Sequence, residues 1–167
     1  MTIEYLADRL ELLPLVARWL HEEWGNLRVG DTVDSRAERI KNWCRRQEIP
    51  SAFVATEGGD LLGCASIVQC DMDTRSQLSP WLAGLFVPPE RRSQGIGAAL
   101  VMRVVEEARA LEHPTIYLYT TGTGALYLRL GWSIIERTLY PQLWGQQPVM
   151  VMERSTRGTV GAAEGGR

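Results

Sequence analysis

Apolar positions recur at helical spacing early in the chain. Leu12, Leu13, Leu15, Val16, Trp19, Leu20 and Trp24 predict a first helix over Leu10–Trp24, after a short strand over Thr2–Leu6. Gly25 to Asp31 carries two glycines and reads as a loop. A second helix is expected over Val33–Gln47, with Ala37, Ile40, Trp43 and Cys44 on one face and Thr32, Asp34 or Ser35 as its cap. Pro50 closes that region. Ala52–Thr56 and Leu61–Gln69 are β-type runs joined across Glu57-Gly58-Gly59-Asp60, a hairpin signal. Asp71–Pro80 is a polar connection. Trp81–Val87 is a further strand, and Gly84 inside it marks a bulge or a close approach of another backbone or ligand.

The clearest helix spans Gly95–Leu111, where Ile96, Leu100, Val101, Val104, Val105, Ala108 and Leu111 form one stripe. Thr115–Tyr119 is then a strand, Ala125–Leu130 a short helix, and Gly131 its stop. Trp132–Tyr140 and Pro148–Arg154 read as a closing antiparallel pair. The strand at Trp81, the helix after it and the strand at Thr115 make a βαβ unit, which implies two adjacent parallel strands. Hairpins on either side make the sheet mixed, so the fold class is α/β (α+β) with helices flanking a central sheet. Residues 1–154 form one domain on this reading, and the glycine-rich stretch 155–167 is a tail.

Composition narrows the classes. A chain of 167 residues with 45% hydrophobic and 23% charged residues is an ordinary globular domain. The net charge of -2 speaks against a nucleic-acid partner held by a broadly basic surface. Cys44, Cys64 and Cys70 match no zinc pattern, and His21 and His113 are the two histidines, so no metal is expected. No basic-then-apolar leader is visible, and no apolar run approaches the ~20 residues of a membrane helix. The expectation is a cytoplasmic protein with no membrane partner.

The chemistry concentrates between Val87 and the third helix, at Arg91, Arg92, Ser93, Gln94, Gly95, Ile96, Gly97 and Ala98. Two glycines let backbone amides approach a ligand, and those amides sit at a helix N-terminus where unpaired N–H groups and the dipole favour an anion. The two arginines add guanidinium donors suited to phosphate. The set describes a pyrophosphate site. A Walker loop would need a lysine directly after its last glycine, and Ala98 follows Gly97. A dinucleotide fingerprint would need glycine at 100, where Leu100 stands. The plain alternative is a glycine-rich helix start with two surface arginines.

Val87-x-Pro89-x-x-Arg92-x-x-Gly95-Ile96-Gly97-x-x-Leu100 resembles the signature segment of the GNAT superfamily of N-acetyltransferases. Leu126-Tyr127-Leu128-Arg129-Leu130-Gly131-Trp132 is similar to that family's second segment, with Trp132 where phenylalanine or tyrosine is usual. The resemblance covers roughly residues 1–154. It implies a mostly antiparallel sheet with a splayed parallel pair, and acetyl-CoA as cosubstrate. The pyrophosphate would lie on the amides of Gln94 to Ala98, and the pantetheine arm along Leu85, Phe86 and Val87. A main-chain N–H near Leu85 or Phe86 would face the acetyl carbonyl, an effect worth roughly 2.7–4 kcal/mol in acyl transfer.

The resemblance implies direct attack of a primary amine, from a small molecule or a peptide N-terminus. Tyr127 matches the family's general acid, and a phenol with pKa near ~10 stays protonated at neutral pH. An amine with pKa of about 10 must first lose a proton. Many relatives keep a glutamate for this on the strand that here reads Trp81-Leu82-Ala83-Gly84-Leu85-Phe86, which holds none. Asp71 and Asp73 are the candidate bases, with Glu22 and Glu23 behind them. Relatives often bind the pantetheine arm with an asparagine before the tyrosine. Thr120-Thr121-Gly122-Thr123-Gly124 stands there instead, and Thr121 is the candidate substitute. The acceptor side would draw on Trp24, Trp81, Tyr140 and Trp144. Family members are often homodimers, which makes a homodimer an expectation. A coenzyme-binding module without catalysis is the competing class, and a phosphate-binding regulatory domain a third.

Overall fold

The computed structural model describes residues 1–141, 143 and 146–157. Its strands are β1 (Thr2–Tyr5), β2 (Ser51–Glu57), β3 (Asp60–Val68), β4 (Trp81–Phe86), β5 (Thr115–Thr120), β6 (Ser133–Tyr140) and β7 (Gln147–Ser155). Its helices are α1 (Leu13–Trp24), α2 (Val33–Lys41), α3 (Ile96–Ala110) and α4 (Ala125–Arg129). Most boundaries follow the hydrophobic pattern. Two differ for local reasons. The Leu10–Leu12 stretch is a 3-10 turn, because Pro14 in the first turn of α1 lacks an N–H and its ring would collide with the carbonyl four residues back. Helix α2 stops at Lys41 and not at Gln47. The Trp43 carbonyl takes its hydrogen bond from the Ala52 N–H at 2.9 Å and is lost to a continuing helix.

One seven-stranded sheet runs in the order β1-β2-β3-β4-β5-β7-β6. Neighbours are antiparallel except β4 and β5. That parallel pair shares a single register position, Trp81 with Tyr117, and then separates. The chain order does not foretell that β7 slots between β5 and β6.

Gly84 sets the geometry of β4. The β3–β4 register shifts between Cys64 and Ser66, opposite Gly84 and Leu85, and Gly84 has φ +60. Strict alternation would put Phe86 on the same face as Leu82. The bulge reverses the last two residues. Leu82 and Leu85 pack with the α3 cluster, whereas Phe86 turns to the α1 face against Trp19 and Trp24.

Each face of the sheet carries a core. Ile96, Leu100, Val101, Val104 and Ala108 of α3 cover Phe53, Ala65, Ile67, Leu82, Ile116 and Leu118. Val16, Leu20 and Ile40 from α1 and α2 cover Val54 and Cys64 on the other side. That side continues as Val68 at the end of β3, Met72 after it, Trp81 of β4, Tyr140 of β6 and Val151 of β7.

Two polar clamps hold the layers. Glu107 is 3% exposed, and its carboxylate accepts from the Tyr5 hydroxyl at 2.8 and 2.9 Å and from Arg103 at 2.9 Å. The Asp31 side chain is fully buried between His21 at 3.0 Å, Arg36 at 2.7 Å and Arg39. Desolvation opposes the charge of Asp31, but Arg39, His21 and Arg36 together hold its carboxyl well below the ordinary range. The cluster ties the loop after α1 to α2, so Asp31 is a structural residue of that loop.

Candidate functional site

The turn from β4 into α3 is shaped by two left-handed residues, Ser93 at φ 61 and Gly95 at φ 81. Gly95 is the N-cap of α3 and has no side chain to cap the helix. The first intrahelical bond is Ala99 N–H to the Gly95 carbonyl at 3.0 Å, so the amides of Ile96, Gly97 and Ala98 have no partner within the helix. They open on a cavity of about 530 Å³. Leu85 and Val87 of the β4 end form one side of it, and Arg91, Arg92 and Ser93 lie along the loop. Leu126 and Arg129 of α4 close the opposite wall.

Arg92 is partly spoken for, since its Nε donates to the Val87 carbonyl at 2.9 Å. That bond closes the loop on itself and leaves the remaining guanidinium N–H groups to a ligand. Gln94 donates its amide to the Glu90 carbonyl at 3.3 Å and acts as a loop brace. The donor set suits a pyrophosphate: unpaired amides at the positive end of a helix, two arginines, and no Cβ at Gly95 or Gly97. The Phe86 side chain is buried on the other face and does not line the cavity. Thr121 lies elsewhere. With Thr120 and Thr123 it lines a separate concavity of about 480 Å³ against Arg137 and Met150.

Tyr127 points into the α3-side core and meets Trp132 edge-on, with centroids 6.1 Å apart. Burial pushes its phenol up to about 12, so it holds its proton at neutral pH. The hydroxyl makes no hydrogen bond among the described residues.

Asp71 and Asp73 follow β3 and sit on the opposite face, beside Tyr119 and Tyr140. Tyr140 donates its hydroxyl to Asp73 at 3.2 Å, and its ring meets Tyr119 at 5.3 Å. Asp71 is half-buried and makes no hydrogen bond or ion pair among the described residues. Desolvation pushes its carboxyl up to about 7. Burial first, then Asp71, raises Tyr119. Tyr119 is absent from the sequence-based candidates. The signal for it is the alternation within β5: Ile116 and Leu118 face the α3 core, which sends Tyr117 and Tyr119 to the other side. Arg129 and Leu126 were missed as cavity residues for a different reason, because only the tertiary docking of α4 brings them to the loop.

The aromatic candidates for the acceptor side differ in their exposure. Trp81 is fully buried, and its indole N–H donates to the Leu78 carbonyl at 2.6 Å. It supports Tyr117 and Tyr119 from beneath and offers no open surface. Tyr140 is 5% exposed and is held by Asp73. Trp24 is half-buried against Phe86. Trp144 lies outside the described residues. Glu22 and Glu23 are exposed.

The sequence model of the Acetyltransferase (GNAT) family matches residues 13–132. No curated protein matches the chain in sequence. Among solved structures, aminoglycoside 6'-acetyltransferase type Ii is 22% identical, with a TM-score of 0.71 over 95% of this chain and 99% of that one. Ribosomal-protein-alanine N-acetyltransferase from Brucella melitensis is 19% identical, with a TM-score of 0.74 over 93% and 99%. Spermidine N-acetyltransferase from Vibrio cholerae, solved with CoA and spermine, is 17% identical, with a TM-score of 0.69 over 93% and 95%. At these identities the likeness is one of fold.

Proposed function

The chain belongs to the GNAT acetyltransferase family, and from that premise we propose that it transfers an acetyl group from acetyl-CoA to a primary amine of a small molecule or a peptide N-terminus. The observation that carries this is the unpaired amide set of Ile96, Gly97 and Ala98, opening on the cavity that the β4 end enters. When bound, the cosubstrate supplies an acetyl thioester. Everything else falls to the chain's own residues.

The α3 amides and Arg92 hold the pyrophosphate. Leu85 and Val87 guide the pantetheine arm along the end of β4. Gly84 and Leu85 have no register partner in β3 or β5 among the described residues, so a strand-like ligand finds backbone groups there. The gap between β4 and β5 connects the two faces of the sheet. Tyr127 on the α3 face is the general acid, a phenol protonated at neutral pH whose burial raises it further. Asp71 on the α1 side is the general base, because desolvation brings its carboxyl to about 7, where it can take a proton at neutral pH. Asp73 and Tyr140 hold the neighbouring wall.

A thiol-release assay with acetyl-CoA across a panel of amines tests the reading. Tyr127→Phe is expected to lower turnover by roughly a hundredfold or more, with coenzyme affinity by calorimetry unchanged. An equal loss of affinity and turnover would make Tyr127 a packing residue. Coenzyme binding without thiol release on any amine would favour a binding module without catalysis.

A further inference from the structure

The amides of α3 and the loop arginines account for one phosphate cluster, but they do not account for the opposite wall of the same cavity. Arg129 stands there, on the last turn of α4. It follows Leu126 by three residues, so both side chains share the helix face turned to the α3 start. Leu126 faces the α3 start directly: a Cβ added at Gly97 would lie 3.6 Å from Leu126 Cδ2, an ordinary contact.

Arg129 is exposed and makes no ion pair or hydrogen bond among the described residues. The other cavity arginines, Arg91 and Arg92, lie on the loop at the α3 start, across the cavity from Arg129. Arg92 is tied through its Nε to the Val87 carbonyl. Coenzyme A carries a pyrophosphate and, on its ribose, a separate 3′-phosphate monoester. The helix N-terminus and Arg92 converge on one point and suit the pyrophosphate. The monoester is a second, more highly charged anion, and it needs its own donor away from that point. A planar guanidinium with free N–H groups is the side chain suited to it.

We infer that Arg129 binds the ribose 3′-phosphate of the coenzyme and so gives the cavity its preference for coenzyme A over the 3′-dephospho form. The inference rests on the coenzyme reading of the cavity. Titration calorimetry of the full chain with coenzyme A and with 3′-dephospho-coenzyme A separates the two. Wild-type protein that binds neither ligand refutes the coenzyme reading itself.

Given binding by the wild type, Arg129→Ala is expected to weaken coenzyme A roughly tenfold or more and to leave the 3′-dephospho form unchanged. Arg129→Lys should recover part of the loss, because it restores the charge but not the fork. Raising the salt should narrow the gap between wild type and Arg129→Ala. Equal affinity of wild type and Arg129→Ala for coenzyme A would overturn the inference. So would an equal loss on both ligands, which would move Arg129 to the pyrophosphate. The residue is exposed, so a melting curve matching the wild type is the check that the variant folds.

Discussion

Asp71 leaves β3 into a wall of aromatic rings, and its surroundings set its protonation more than its sequence neighbours do. Its carboxyl lies at about 7 in the folded chain, against roughly 3.9 when unfolded. The folded state therefore binds this proton more tightly. The stability it contributes is complete below the unfolded value, and it is lost as pH rises to about 7. Two outcomes follow. Turnover of the wild type should climb with pH to a plateau, with a midpoint near about 7. Asp71→Asn should abolish that climb and lower turnover, yet melt at a higher temperature than the wild type at about pH 8. A variant that loses activity and melts lower would make Asp71 a structural residue. The sequence marks Asp71 and Asp73 equally as carboxylates after a strand. Asp71 is half-buried and Asp73 exposed, a difference that exists only once distant strands have packed.

At the scale of elements, β3, β4 and α3 meet where Gly63 leaves no room. A Cβ there would fall 2.9 Å from the Phe86 carbonyl and 3.0 Å from Leu100 Cδ1. The backbone atom cannot rotate aside. Gly63→Ala should therefore cost about 1–3 kcal/mol, measured by urea denaturation, and displace the β4 end that lines the cavity. Loss of coenzyme affinity should accompany the loss of stability. Nothing in the pattern around Gly63 distinguishes it from the hairpin glycines nearby. Gly84 was legible as a special position, and the bulge is there. Its consequence, the exchange of Leu85 and Phe86 between faces, was not legible, because it depends on how β3 pairs across it. The helix ends tell the same story in smaller form: the expected bounds missed both the start at Leu13 and the bond from Ala52 to the Trp43 carbonyl that ends α2 early.

Across the whole molecule, the two halves of the sheet share one register position, Trp81 with Tyr117. A ligand lying in the gap and on the α3 amides would join them. Saturating coenzyme at about a hundred times Kd should add about 2.7 kcal/mol, or roughly 5–10 °C in Tm for a chain of this size. Gly97→Ala isolates the ligand's share. A Cβ there meets Leu126 at 3.6 Å and Val87 at 3.9 Å, which are ordinary contacts. The variant should melt like the wild type without ligand and lose most of the coenzyme-induced shift. An undiminished shift would mean that Gly97 does not face the pyrophosphate.

The sequence by itself determined the secondary elements, the βαβ unit and the glycine loop, because hydrophobic period, turn chemistry and a helix start are local properties. The loop segment also carried the family resemblance, since its arginine and glycines stand at that family's spacing. Tertiary structure alone decided that β7 lies between β5 and β6, that Phe86 and Leu85 face opposite ways, that Trp81 is sealed, and that Arg129 reaches the cavity. Those facts come from packing between segments far apart in the chain. Burial, and with it the raised carboxyl of Asp71, exists only once those segments have met.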